Sequence, residues 1–168
     1  MKGSTVATAD SALLPYLSLL DEAFERKAWH GPNLRGTLRG VTAKEAAWRP
    51  APDRHNVWEL CVHAAYWKYA VRRMLTGEKR GSFAFPGSNW FARPGSDASA
   101  SAWKKDLALL REEHRRLKAA ISPLRARDLT LRPRGSKYVV ARLIQGAAAH
   151  DLYHAGQIQL LKRLRPGR

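Results

Sequence analysis

Residues 147–164 read AAAHDLYHAGQIQLLKRL, an apolar run carrying His150 and His154 four residues apart with Asp151 between them. An α-helix turns once in about 3.6 residues, so positions four apart share a face. Val140, Ile144, Ala147, Ile158 and Leu161 fall on that face too. The pattern predicts a helix over 139–164 whose inward side holds two imidazoles. Such a face needs partners of the same kind, and the rest of the chain has to supply them.

Three other long segments show helical periodicity. In 56–77, Leu60, His63, Trp67, Ala70 and Met74 form a stripe, with Gly77 as the C-terminal stop, so His63 is expected to point inward. In 100–124, Trp103, Leu107, Leu110, His114 and Leu117 are in approximate register. The first segment starts from a cap at Asp10 or Ser11 and runs to the HGP break at 30–32, with Leu13, Tyr16, Leu17, Leu20 and Phe24 on one side. Pro15 falls in its early part, where a missing N–H does least damage. Between the first two long segments, 33–41 reads as a short helical turn. TAKEAAW at 42–48 has the threonine and glutamate of a capping box.

The stretch 79–98 is rich in Gly, Pro, Ser and aromatics and reads as one long irregular loop. Loops of that size in compact domains are often functional; NWFARP within it is expected to act either as a lid or as an apolar cover for the bundle end. No period-2 pattern and no repeat occurs. The expected fold class is all-α, a four-helix bundle with short extra helices and one long loop. A single domain is expected over 1–168, with residues 1–10 flexible.

Composition narrows the function classes. Thirty Lys and Arg against fourteen Asp and Glu give a formal charge of +16, which favours anionic ligands. The basic residues are scattered (Arg26, Arg35, Arg72, Arg115, Arg142, Arg163) and form no long block, which argues against nucleic acid as a partner. One cysteine, Cys61, excludes an intrachain disulfide and a four-cysteine zinc site. The absence of a signal-peptide pattern and of an apolar run of about 18 residues leads to the expectation of a cytoplasmic protein without a membrane span. A homodimer through a helix face is also envisaged, with no surplus apolar stripe to assign it.

His63, His150 and His154 would therefore meet inside the bundle from two helices. Three neutral imidazoles can hold zinc, nickel, iron or copper and leave a position for water or substrate. The alternative for each is a hydrogen-bonded core histidine. His30 is read as a helix-end residue, His55 as a local structural residue before a helix start, and His114 as surface or half-buried. HDLYH has an aspartate where the metalloprotease pattern HExxH has glutamate; the shorter reach argues against a protease. Asp151 is left as an outer partner of the histidines, a general base or a plain hydrogen-bond acceptor. Gln157, one turn beyond His154, is a further outer partner. No GxSxG and no P-loop occurs.

ELCVHAAYWKYAVRRMLTGE, followed late in the chain by AAHDLYHAGQIQLLKRL, resembles the DinB/YfiT-like superfamily of metalloenzymes, as does WHGPNLRGTLRGVTAKEAAWRPAPDRH. The resemblance implies an up-down-down-up four-helix bundle with one divalent metal, zinc or nickel, held at His63, His150 and His154. Some members of that superfamily use low-molecular-weight thiols. The chain is thus expected to be a metal-dependent thiol S-transferase or hydrolase acting on a small-molecule substrate. The alternatives are a non-catalytic metal- or ligand-binding stress protein and a basic nucleic-acid-associated protein. Arg72 and Arg73 are the expected basic rim, and Tyr66, Trp67 and Tyr153 the expected flanks of the pocket.

Overall fold

The computed structural model describes residues 10–166. The expected flexible terminus falls on residues 1–9, outside the described residues, while Asp10 accepts hydrogen bonds from the Ala12 and Ala126 amides, both at 3.0 Å. Six α-helices follow: α1 Leu14–Phe24, α2 Leu34–Leu38, α3 Ala43–Ala47, α4 Val57–Thr76, α5 Ala100–Ile121 and α6 Val140–Leu164. Short 3₁₀ turns precede α1 and α6, and no strand occurs among the described residues.

The helix ends are chemically explicit. Asn56 accepts from the Glu59 amide and Glu59 reaches back to the Asn56 amide, a capping box that starts α4. Gly77, at φ +74°, closes it in the left-handed conformation that glycine adopts without penalty. Ser99 caps α5 and Thr42 caps α3 with Glu45. Helix α1 is shorter than its apolar pattern suggested, ending at Phe24 and not near residue 29. Beyond it the Asn33 amide takes the Arg26 carbonyl at 2.7 Å and Arg35 pairs with Glu25, so the chain turns toward α2. His30 accordingly lies in an exposed turn, beyond any helix end.

Cross-helix contacts fix the directions. Trp58 meets Asp106 while Arg72 meets Glu113, so α4 and α5 run parallel. Val57 and Leu161 share one cavity wall, and Val71 and Leu143 share another, so α6 runs opposite to α4. Asp21 lies beside His114 and Asp10 beside Ala126, which sets α1 opposite to α5. The four long helices therefore go up, down, down and up, and the irregular 77–99 segment carries the chain back along the bundle between the two parallel ones.

The core has an apolar shell around Trp58, Trp103, Leu110, Val62 and Ile158, and a second around Leu20, Val71, Leu117, Ile121 and Ile144. Between them runs a polar seam. Lys68 is 1% exposed and pairs with the equally buried Asp151 across α4 and α6. Its ammonium also lies 3.3 Å from His114 Nδ1 on α5 and 4.7 Å from the centre of the Phe24 ring on α1. His114 is therefore buried, correcting its reading as a surface or half-buried residue. It stacks on Phe24 at 3.9 Å.

Burial, and then the ammonium groups of Lys68 and Lys118, push His114 down to about 2. Asp21, 3.7 Å from His114 Nε2, is beyond hydrogen-bonding distance and takes Lys118 instead. The folded protein thus keeps His114 neutral while the unfolded chain protonates it below about 6.5. Its contribution to stability is complete above that value and falls with acidification, by up to about 1.4 kcal/mol per pH unit. Unfolding of His114→Gln followed from pH 6 to pH 4 should take up about one proton fewer than wild type. Identical acid slopes would show that His114 protonates in the folded state.

Candidate metal centre

His63 on α4 and His150 and His154 on α6 come together as the sequence pattern predicts. His63 Nε2 is 3.1 Å from His150 Nε2, and His154 Nε2 is 3.0 Å from it. His63 and His154 are buried, 5% and 3% exposed, and His150 is the half-buried member.

The far side of two rings is tied down. His63 Nδ1 donates to the Asn89 carbonyl at 2.8 Å, and His154 Nδ1 donates to Gln157 Oε1 at 2.7 Å. A carbonyl oxygen only accepts, so both Nδ1 atoms carry the proton and both Nε2 atoms present lone pairs. Both lone pairs aim at His150 Nε2, which has at most one hydrogen to offer. At least one of the two lone pairs is then left without a full hydrogen bond to accept. A cation at the centre satisfies all three. Nitrogens about 2.0–2.1 Å from a tetrahedral zinc stand about 3.3 Å apart, close to the observed spacing.

Electrostatics agree. Burial pushes His63 down to about 4 and His150, aided by its two histidine neighbours, down to about 3; burial lowers His154 as well. All three rings are neutral at pH 7, the form that ligates metals. Asp21, Glu25 and His114 also bring ligand atoms within 4.8 Å of one another. There, however, Lys118 holds Asp21 and Arg35 holds Glu25, so the negative charge is already matched.

The 77–99 segment covers the centre through side chains that sequence reading did not resolve. Trp90 is sandwiched between His63, at 3.7 Å, and His55, at 3.6 Å, with ring planes within 9° and 5°. Asn89 has φ +66°, a left-handed conformation that asparagine tolerates better than most residues. In it the backbone carbonyl meets His63 while Oδ1 accepts from Trp67 Nε1 at 2.9 Å. The segment is anchored further on. Asn56 donates to the Arg93 carbonyl at 2.7 Å, and Arg93 joins Trp58 on the Asp106 carboxylate. Glu59, held below the usual carboxylate range by Arg49, His55 and the Arg93 amide in spite of its burial, fixes His55 through Nδ1 at 3.0 Å. His55 is thus the local structural residue expected, with Trp90 as its second contact.

Other expected site residues fall elsewhere. Asp151 makes no hydrogen bond to the three histidines and pairs instead with the buried Lys68 of α4. Arg72, 7% exposed, is buried against Glu113 and Glu78, so it is not a rim residue. Arg73 lines a separate cavity with Tyr66, Tyr69 and Phe83, away from the histidines. Tyr66 belongs to that aromatic cluster, whereas Trp67 and Tyr153 flank the centre, with ring centroids 6.1 Å from His150 and 5.2 Å from His154. Cys61 is fully buried and burial pushes its thiol up, which removes it as a nucleophile. A cleft of about 420 Å³ reaches His150 from solvent between α4, α6 and the turn before α6.

A helical bundle whose second and last long helices bring three neutral imidazoles to one point is built as a scaffold able to hold a metal ion. The chain belongs to the DinB superfamily, whose family model matches residues 27–158. The match takes in all three histidines and the covering segment. No curated protein and no solved structure matches the chain. Among the described residues no helix is long and apolar enough to cross a membrane.

Proposed function

We propose that His63, His150 and His154 ligate one divalent cation, zinc or nickel, and that the protein is a metal-dependent enzyme acting on a small molecule. The observation that carries this reading is that the Nε2 atoms of His63 and His154 lie 3.1 and 3.0 Å from His150 Nε2, with those two rings fixed from behind. When bound, such a cation is a Lewis acid that acidifies water or a thiol, the chemistry of a hydrolase or a thiol S-transferase. The protein's own part is positional. Asn89 and Gln157 set the tautomers of His63 and His154, Trp90 excludes water from one side, and the cleft at His150 admits substrate from the other. That opening favours catalysis over mere sequestration, which needs no route for a substrate.

The test is metal content by plasma mass spectrometry, with turnover measured on the same preparations against a panel of thiols with electrophiles and a panel of esters. About one equivalent of zinc or nickel in wild type, with metal and turnover both lost in the triple His63, His150, His154→Ala variant, is the expected result. Metal-free wild type after refolding with zinc and nickel salts sinks the proposal. Metal without turnover on any panel turns it into the non-catalytic reading. Gln157→Leu removes the acceptor of His154 Nδ1 and should weaken zinc about 10- to 100-fold in a competitive chelator titration, with the fold intact. An unchanged affinity would mean that Gln157 does not orient His154.

A further inference from the structure

Resting on that reading, we infer that the cleft at His150 selects a substrate with an apolar body of aromatic size and an anionic group. Its walls divide chemically. Trp67, Val71, Met74, Tyr138 and Leu143 provide apolar surface, and Trp67 and Tyr138 are 36% and 56% exposed there. At the mouth stand Lys137 and Arg142, both exposed. No carboxylate lines the cleft, and neither cation is paired with one among the described residues. Two uncompensated positive charges over an apolar wall complement an organic anion and repel a cation. The volume, about 420 Å³, lies within the ordinary range of small-molecule sites.

Gly146 supports the same conclusion from the backbone. It sits inside α6, where glycine is the poorest helix former after proline. It lines the cleft, and a Cβ built on it would meet nothing within 4 Å. The packing of the protein therefore does not require a glycine; what its missing side chain leaves open is the space above His150. A larger residue there is compatible with the helix and fills that space.

The test uses the zinc-loaded protein and two probes of the same shape and opposite charge, 2-naphthoate and 2-(aminomethyl)naphthalene, by isothermal titration calorimetry. Naphthoate should bind at least about tenfold more tightly than the amine. Gly146→Leu should abolish naphthoate binding while retaining one equivalent of zinc. Lys137→Glu with Arg142→Glu should weaken naphthoate about tenfold and reverse the preference. The control pair Lys104→Glu with Arg111→Glu changes the net charge equally in a different cavity, beside Trp103, and should leave binding unchanged. Equal affinity for the two probes overturns the inference. So does naphthoate binding that survives Gly146→Leu, or a preference that ignores Lys137 and Arg142 and thus comes from the zinc alone. Should the protein take up no metal, the same titrations on the metal-free chain still decide whether the cleft prefers anions, so failure of the metal reading and failure of this one are told apart.

Discussion

Asp151→Ala is expected to destabilise the bundle by about 3–5 kcal/mol, seen as a lower urea midpoint at unchanged slope. The size follows from what stays behind. Lys68 is fully buried, and its remaining neighbours are His114 Nδ1 at 3.3 Å and the face of Phe24. Neither can replace a carboxylate for an ammonium cut off from water. The pair itself is a different matter: burial pushes the Asp151 carboxyl up to about 6 while Lys68 pulls against it. Replacing both, as Lys68→Met with Asp151→Leu, should therefore recover most or all of the loss, because apolar isosteres escape the desolvation cost. A loss below about 1 kcal/mol for Asp151→Ala would show that water reaches the seam and that the ion pair is not isolated. The double variant should also retain metal, since Asp151 touches none of the three histidines.

The second large effect concerns metal and stability together. A ligand at 100 to 1,000 times its dissociation constant stabilises the state that binds it by about 2.7–4.1 kcal/mol. For a chain of this length that corresponds to a rise of about 5–15 °C in Tm. Zinc added to chelator-treated protein should produce such a rise, and His150→Ala should remove it. His150 is the decisive member because both other Nε2 atoms are directed at it. The metal-free centre leaves one imidazole acceptor without a full hydrogen bond, so His150→Ala should itself cost the metal-free protein little. A zinc shift equal in wild type and variant would place the binding elsewhere, for example at the Asp21, Glu25 and His114 group.

The pair His150 and His154 was legible because helical spacing alone puts both rings on one face, and His63 because it lies within an apolar stripe. The phase of that stripe was legible only in part. Trp67 falls on the apolar stripe and Lys68 beside it, yet Trp67 is 36% exposed and Lys68 is 1% exposed. Hydropathy assigns a lysine to solvent unless its counter-charge is known, and Asp151 stands 83 residues away in the chain. The burial of Arg72 was hidden for the same reason, since Glu113 lies 41 residues on. Asn89 and Trp90 belong to a segment without periodicity, where position follows from individual contacts to His63, His55 and Trp67. The early end of α1 depends on Asn33, seven residues beyond the carbonyl it takes.

The parallel run of α4 and α5 has a consequence for the order in which the protein can be completed. The Trp58–Asp106 contact needs the chain only as far as α5, whereas His63 and His150 are separated by 87 residues. The imidazole cluster needs α6 docked on α4, whereas the Arg93–Asp106 anchor of the covering segment needs no residue beyond α5. A nascent or truncated chain ending before α6 carries one of the three nitrogens and has no chelating centre. Uptake of a cation would then serve as a readout of α6 docking, separating folded molecules from partial ones.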